Sequence, residues 1–352
     1  LALLSGLDKS RFAPYLLCLT QGPLAAEAGR AGIPTFVLPM RFSADLSLLP
    51  QLVRLLRREE INLVHNHGSR ANLLGRLAAR HLHLPSLSTV HSSLAHDYLS
   101  PWAAKTAVLL DRLTLPAAAG IIAVSGHLAQ ELAQRGARNI RVIHNGCDPE
   151  ADFSPEERTA LRRAFREQWQ IPARAVVIGT VARLHPAKGL DTFCAAAVEL
   201  HRCIPELHLL IIGDGPLRAA IAATLAGSGI PHTLPGFLPQ AYRAMPAMDV
   251  FVLPSRSEGM GLVLLEAMAA KVPIVAARAG GIPEVIRDNT DGLLFPANDP
   301  QALKAACLHL LDNPLLVQEL VHNAGQRWPE FSLAKMIKAT ENFYLSILEA
   351  DG

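Results

Sequence analysis

Residues 249–292 read DVFVLPSRSEGMGLVLLEAMAAKVPIVAARAGGIPEVIRDNTDG and hold the side chains best suited to chemistry. An apolar run, Val250 to Leu253, ends at Pro254-Ser255 and gives way to the loop Arg256-Ser257-Glu258-Gly259-Met260-Gly261. Leu262, Leu264, Leu265, Met268 and Ala269 then recur at helical spacing. A strand, a glycine loop and a helix start make an anion site. The first helical N–H groups lack internal partners, and the helix dipole favours negative charge there. Gly259 and Gly261 let a ligand approach the backbone of Met260 and Leu262, since no Cβ intervenes. Two acids flank the loop, Glu258 and Glu266. Eight helical residues span roughly 12 Å, too far for both carboxylates to share one atom. The spacing suits the two ends of one elongated ligand, its phosphates at the helix start and its sugar hydroxyls donating to the carboxylates.

A second pair lies upstream, in Arg183-Leu184-His185-Pro186-Ala187-Lys188-Gly189. Arg183 and Lys188 follow the buried run Ala175 to Ala182. From such a loop a guanidinium fork and an ammonium can grip a diphosphate from two directions.

The motif PSRSEGMGLVLLEAMAAKVPIVA, with seven residues between Glu258 and Glu266, resembles the E-x7-E signature of the retaining family-4 glycosyltransferases. GGIPEVI, DGLLFP, GDGP at 213–216 and the R-x4-K-G of Arg183 to Gly189 match the same pattern. So do His65-Asn66-His67-Gly68, Thr89-Val90-His91, Val124-Ser125 and Asn145-Gly146-Cys147-Asp148. The resemblance implies a GT-B fold, two Rossmann-like doubly wound parallel-sheet domains facing an interdomain cleft. It implies a nucleotide-diphosphate sugar donor, with UDP-linked hexoses the default. GDP- and ADP-linked donors fit too, because base contacts near Gly236 to Leu238 are largely made by backbone. It assigns His91, Arg183, Lys188 and Glu258 to catalysis. Gly236, Leu238, Gly259, Met260, Gly261, Leu262 and Glu266 go to donor binding, Glu266 on the ribose. No metal and no cofactor are implied, the nucleotide sugar being a co-substrate. The acceptor is a glycan, a lipid-linked glycan or another hydroxyl, as in cell-surface polysaccharide synthesis. Two other readings are a GT-B sugar-nucleotide epimerase and a non-catalytic nucleotide-sugar-binding fragment.

The elements that must position these residues show in the hydrophobic pattern. Strand-like runs at 15–20, 34–39, 62–65, 87–91, 120–125 and 140–144 alternate with helical patterns near 43–60, 70–82, 101–115 and 126–136. Runs at 175–182, 207–212, 230–238, 250–253 and 273–277 repeat the plan. Alternation of this kind predicts parallel sheets with ligands beyond the strands' carboxyl ends. Ser154-Pro155-Glu156-Glu157 reads as a helix start. The expected domains are 1–149 on the acceptor side, 150–328 for the donor, and a terminal helix in 329–352 returning to the first. Residue 1 is Leu, and the resembled family has a strand and a glycine-rich loop before the first helix. A sequence truncated at that end is therefore expected.

Composition excludes several classes. The chain has 352 residues, half of them hydrophobic, and a net charge of +2, which argues against nucleic acid as a partner. Residues 1–150 carry +5 and the remainder −3. With the apolar stretch Leu94 to Leu115, that balance suits peripheral contact with an anionic membrane; packing of the stretch on the sheet accounts for it equally. Five cysteines at irregular spacing read as reduced thiols in a cytoplasmic protein, peripheral at most at the inner membrane face. His65 and His67 on one strand face could bind a metal, but hydrogen bonding suits them better. No G-x4-G-K-[ST] is present, and position 218 breaks a G-x-G-x-x-G.

Overall fold

The computed structural model describes residues 1–42, 44–94, 98, 100–147, 150 and 152–351. Asp148 of the N-G-x-D motif, the expected boundary at 149 and part of the 94–115 stretch lie outside them. The chain forms two compact units, Leu1–Gly146 with Leu333–Gly352, and Cys147–Ser332.

In the first unit β1 (Leu16–Cys18) and β2 (Thr35–Val37) pair in parallel as a small sheet of their own. Strands β3 (Val64–His67), β4 (Ser86–Val90), β5 (Gly120–Ala123) and β6 (Ile140–Val142) form a second, also parallel, in chain order. β3 extends further than its apolar residues suggest, because its register with β4 continues through His67 opposite Thr89. The Leu333–Asp351 helix completes this unit. Ile337, Phe343, Tyr344 and Ile347 pack with Leu7, Leu87, Ile122 and Ile143, and the Asp8 amide donates to Glu341 at 2.8 Å.

The second unit is one six-stranded parallel sheet. It comprises β7 (Val176–Val181), β8 (Leu207–Ile212), β9 (His232–Gly236), β10 (Val250–Leu253), β11 (Ile274–Ala277) and β12 (Leu293–Phe295), in the order β12-β11-β10-β7-β8-β9. All four residues of β10 and all six of β8 are buried, which explains their unbroken apolar runs. From β7 the chain winds outward through β8 and β9, then returns to β10 on the other side of β7. Adjacent β7 and β10 thus form a topological switch point, where open α/β sheets bind ligands.

The opposite end of this sheet is clamped by ions. The Pro155–Gln168 helix starts in a capping box between Ser154 and Glu157. Its buried Arg166 donates to Asp249 at 2.9 Å and to the carbonyls of Ala175 and Ala247. Arg162 reaches Asp249 at 2.6 Å, and the Val177 amide donates to the same carboxylate at 2.7 Å. One acid therefore fixes the starts of β7 and β10 and the helix across them.

Candidate active site

The loops after β7 and β10 meet at the switch point. Past β7, Arg183 is exposed while Leu184 is buried, its amide donating to Asp214 O at 2.9 Å. A single 3-10 turn, Pro186–Lys188, follows, its N-cap His185 accepting from the Ala187 amide. Gly189 ends the turn at φ +61°, and a Cβ there would stand 2.0 Å from Pro254 O. Only glycine lets this loop lie on the loop after β10. Contact is sealed by the Arg256 amide donating to Ala187 O at 2.8 Å.

The result is a charge pair. Lys188 Nζ donates to Glu258 Oε2 at 2.6 Å across 70 residues, and Ser255 Oγ donates to the same oxygen at 2.9 Å. Both partners are largely shielded, with side-chain exposures of 23% and 14%. The Glu258 backbone is held from the other side, where its carbonyl accepts from the Gly281 amide at 3.0 Å. Gly280, at φ +54°, lies so close that a Cβ would stand 2.0 Å from that carbonyl oxygen. The turn after β11 is thus a third wall of the site.

Gly261, at φ +83°, begins the Leu262–Ala269 helix, which no side chain among the described residues caps. Leu264, Leu265, Ala267, Met268 and Ala269 bury the helix, while Leu262 is half exposed at its tip. Gly259 and Met260 are buried. Glu266 is half-buried, and desolvation raises its carboxyl above the ordinary value. Gly236, at φ +84°, ends β9 and accepts from the Gly213 amide at 2.9 Å. Beyond it Phe237 is widely exposed and Leu238 partly buried. The structure therefore brings Lys188 and Glu258 into contact, with Gly261 next to Glu258: a Cβ on Gly261 would lie 3.3 Å from Glu258 Cγ. Among the described residues Arg183 has no side-chain hydrogen bond or ion pair. Sequence reasoning did not single out Ser255, Arg256 or Gly280. Ser255 and Arg256 lie within the same loop, so proximity to Glu258 was their only signal.

His91 lies in the first unit, just past β4, in a histidine cluster. Its Nε2 is 3.0 Å from His67 Nδ1, so one ring donates and the other accepts. His65 lies between Tyr344 Oη at 2.6 Å and Thr89 Oγ1 at 2.7 Å. Desolvation and neighbouring imidazoles hold His67 down to about 4 and His65 well below its usual range, and desolvation lowers His91. Each of these shifts favours the neutral ring. Among the described residues no group of three or more His, Cys, Asp or Glu could hold a metal ion, and no helix is long and apolar enough to cross a membrane.

Residues 1–151 match the Glycosyltransferase Family 4 model and residues 175–313 that of Glycosyl transferases group 1. The chain is 31% identical over 299 residues to the 2-deoxystreptamine glucosyltransferase of Streptomyces kanamyceticus, covering 80% of this chain and 76% of that protein. It belongs to the family-4 glycosyltransferases. The UDP-Gal:alpha-D-GlcNAc-diphosphoundecaprenol alpha-1,3-galactosyltransferase of Escherichia coli is 26% identical, covering 97% of this chain and 91% of that one. The chain spans 49% of the length of the sulfoquinovosyl transferase SQD2 of Arabidopsis thaliana, to which it is 30% identical over 70% of its own length. Anabaena HepE, solved with UDP-glucose, superposes with a TM-score of 0.83 at 22% identity, covering 98% of this chain and 95% of that one. That likeness is one of fold, the GT-B type with two Rossmann-like bodies.

Proposed function

We propose that this glycosyltransferase moves a hexose from a nucleotide-diphosphate sugar, with UDP favoured, to a hydroxyl acceptor with retention of configuration. The observation that carries the reading is the Lys188–Glu258 pair at the β7/β10 switch point, beside an uncapped helix start. An arriving diphosphate draws Lys188 away from Glu258. Arg183 and Lys188 then neutralise the charge that grows on the leaving diphosphate, helped by the amides at Gly261 and Leu262. Glu258, released, accepts hydrogen bonds from the sugar hydroxyls, and Glu266 accepts from the ribose. Backbone near Gly236 and Leu238 meets the base. His91 is assigned to the transferred sugar. As the bond from the anomeric carbon to the phosphate oxygen breaks, the acceptor oxygen bonds to that carbon on the same face. Its proton passes to a donor phosphate oxygen. No cofactor or metal has a role in this scheme.

The acceptor class is a glycan, a lipid-linked glycan or another hydroxyl; the relatives' names print a diphosphoundecaprenol-linked GlcNAc and 2-deoxystreptamine. Peripheral attachment to the cytoplasmic face of an anionic membrane belongs to the same reading. Trp102, Leu109 and Leu113 are exposed on the Pro101–Thr114 helix, which also carries Lys105 and Arg112. Two measurements test the proposal. Thermal shift against a panel of nucleotide sugars should show stabilisation that grows with ligand concentration. It should fall on Lys188→Ala or Glu266→Gln while the free protein stays folded; no response from folded protein would overturn the donor assignment. The anomeric configuration of the product, read by NMR, decides retention.

A further inference from the structure

Lys188 needs something to hold it. A lysine brings a point charge on a flexible stem, and this one stands on a single 3-10 turn with one short backbone bond at each step. Such a turn has no intrinsic stability of its own. Its anchor is Arg256, in the loop after β10. Arg256 Nη1 donates to Pro186 O at 2.8 Å, at the start of that turn. Nη2 donates to Asp191 at 2.5 Å, on the helix that follows the turn, and Nε donates to Asn298 Oδ1 at 2.5 Å, just past β12. The Arg256 amide adds its own bond to Ala187 O at 2.8 Å. All three guanidinium nitrogens are engaged with protein, in three directions that a lysine cannot reproduce. Two residues further on in the same loop stands Glu258, the partner of Lys188.

We propose that Arg256 is a positioning residue: it staples the Pro186–Lys188 turn to the loop after β10, so that the Lys188 ammonium is aimed at the donor's diphosphate. This rests on the donor reading above. Arg256 acts through Lys188 and is not itself a phosphate ligand. Its loss should therefore be felt by the phosphates and not by the nucleoside, and only while Lys188 is present.

The experiment uses the full chain. UDP and uridine affinities are measured by calorimetry for wild type, Arg256→Met, Lys188→Ala and the double variant. Amide hydrogen exchange over residues 186–190 is followed without ligand. Arg256→Met should weaken UDP about tenfold, leave uridine within about twofold, and cost under about twofold more once Lys188 is gone. Exchange at the Lys188 and Gly189 amides should speed up. Asp191→Asn, which removes one leg of the staple, should give a smaller loss of the same pattern. A tenfold loss that persists in the Lys188→Ala background overturns the proposal, because Arg256 then touches the ligand itself. Equal losses for uridine and UDP, or unchanged exchange in Arg256→Met, overturn it as well. Wild type that ignores UDP, yet shows the faster exchange on Arg256→Met, overturns the donor reading and with it the phosphate role, leaving only the staple.

Discussion

The proposed chemistry turns on an exchange of partners. Lys188 and Glu258 neutralise each other at 2.6 Å, and one charged hydrogen bond of this kind contributes about 1.5–3 kcal/mol. A diphosphate must outbid Glu258 for the ammonium. Lys188→Ala is accordingly expected to weaken UDP by about 10- to 100-fold, read by calorimetry. Glu258→Gln keeps the shape and removes the competing charge. It should leave UDP binding equal or tighter while kcat falls, because the sugar hydroxyls lose their acceptor; weaker UDP binding would contradict the exchange. The histidines make a separate, pH-dependent statement. Unfolded histidine titrates near 6.5 and folded His67 near 4. Between those values the unfolded chain holds a proton that the folded chain lacks. Stability contributed by the neutral ring is therefore full above 6.5 and is lost as pH falls toward 4. His65 and His91 shift in the same direction, whereas the raised Glu266 carboxyl works the other way. The difference between wild type and His67→Gln isolates the imidazole: the melting temperature of the variant should fall less steeply from pH 6.5 to 4.

Among the elements, the connections matter more than the helices. Gly280 combines φ +54° with a Cβ position 2.0 Å from Glu258 O. Gly280→Ala should cost about 2 kcal/mol or more, from left-handed strain and the clash together. In a unit of this size that lowers the melting temperature by about 4 °C or more. UDP affinity should fall with it, since Glu258 must move. Asp249→Ala strips the buried Arg166 of its carboxylate and should cost about 2–3 kcal/mol by denaturant titration, with nucleotide affinity unchanged, because this clamp lies at the far end of the sheet.

The elements also show what a sequence displays and what it hides. β8, β10 and β11 are unbroken buried runs and could be read directly. The Leu49–Arg58 helix begins later than the apolar pattern from 43 suggests. Asp45 caps a 3-10 turn over Leu46–Leu48 first, and Pro50 occupies the first helical turn. Side-chain type and loop position marked Lys188 and Glu258 as site residues. Arg256 could not be recognised that way, because its role depends on three partners 42 to 70 residues away in sequence. That β1 and β2 form a sheet apart from β3–β6 was equally hidden, since pairing between strands leaves no mark on the alternation of apolar runs.

At the scale of the whole molecule, the two units are assembled differently. Cys147–Ser332 is one uninterrupted stretch, whereas the other unit joins Leu1–Gly146 to Leu333–Gly352. Gly120 shows how tight that second junction is, because a Cβ there would stand 2.7 Å from Phe343. Deleting 333–352 should therefore uncover Leu87 and Ile122 and make the first unit sensitive to protease, with Cys147–Ser332 still protected. Limited proteolysis with mass spectrometry would show this; equal protection of both would refute it.

A ribosome delivers these pieces in an awkward order. The β3–β6 sheet emerges early yet waits, with Leu87 and Ile122 unshielded, until the Leu333–Asp351 helix has left the ribosome. The middle of the chain, Cys147–Ser332, is complete in itself and needs no such late partner. Chains that end at residue 332 and have left the ribosome should thus expose a chaperone-binding surface at their older end and a folded Cys147–Ser332 unit at their younger one.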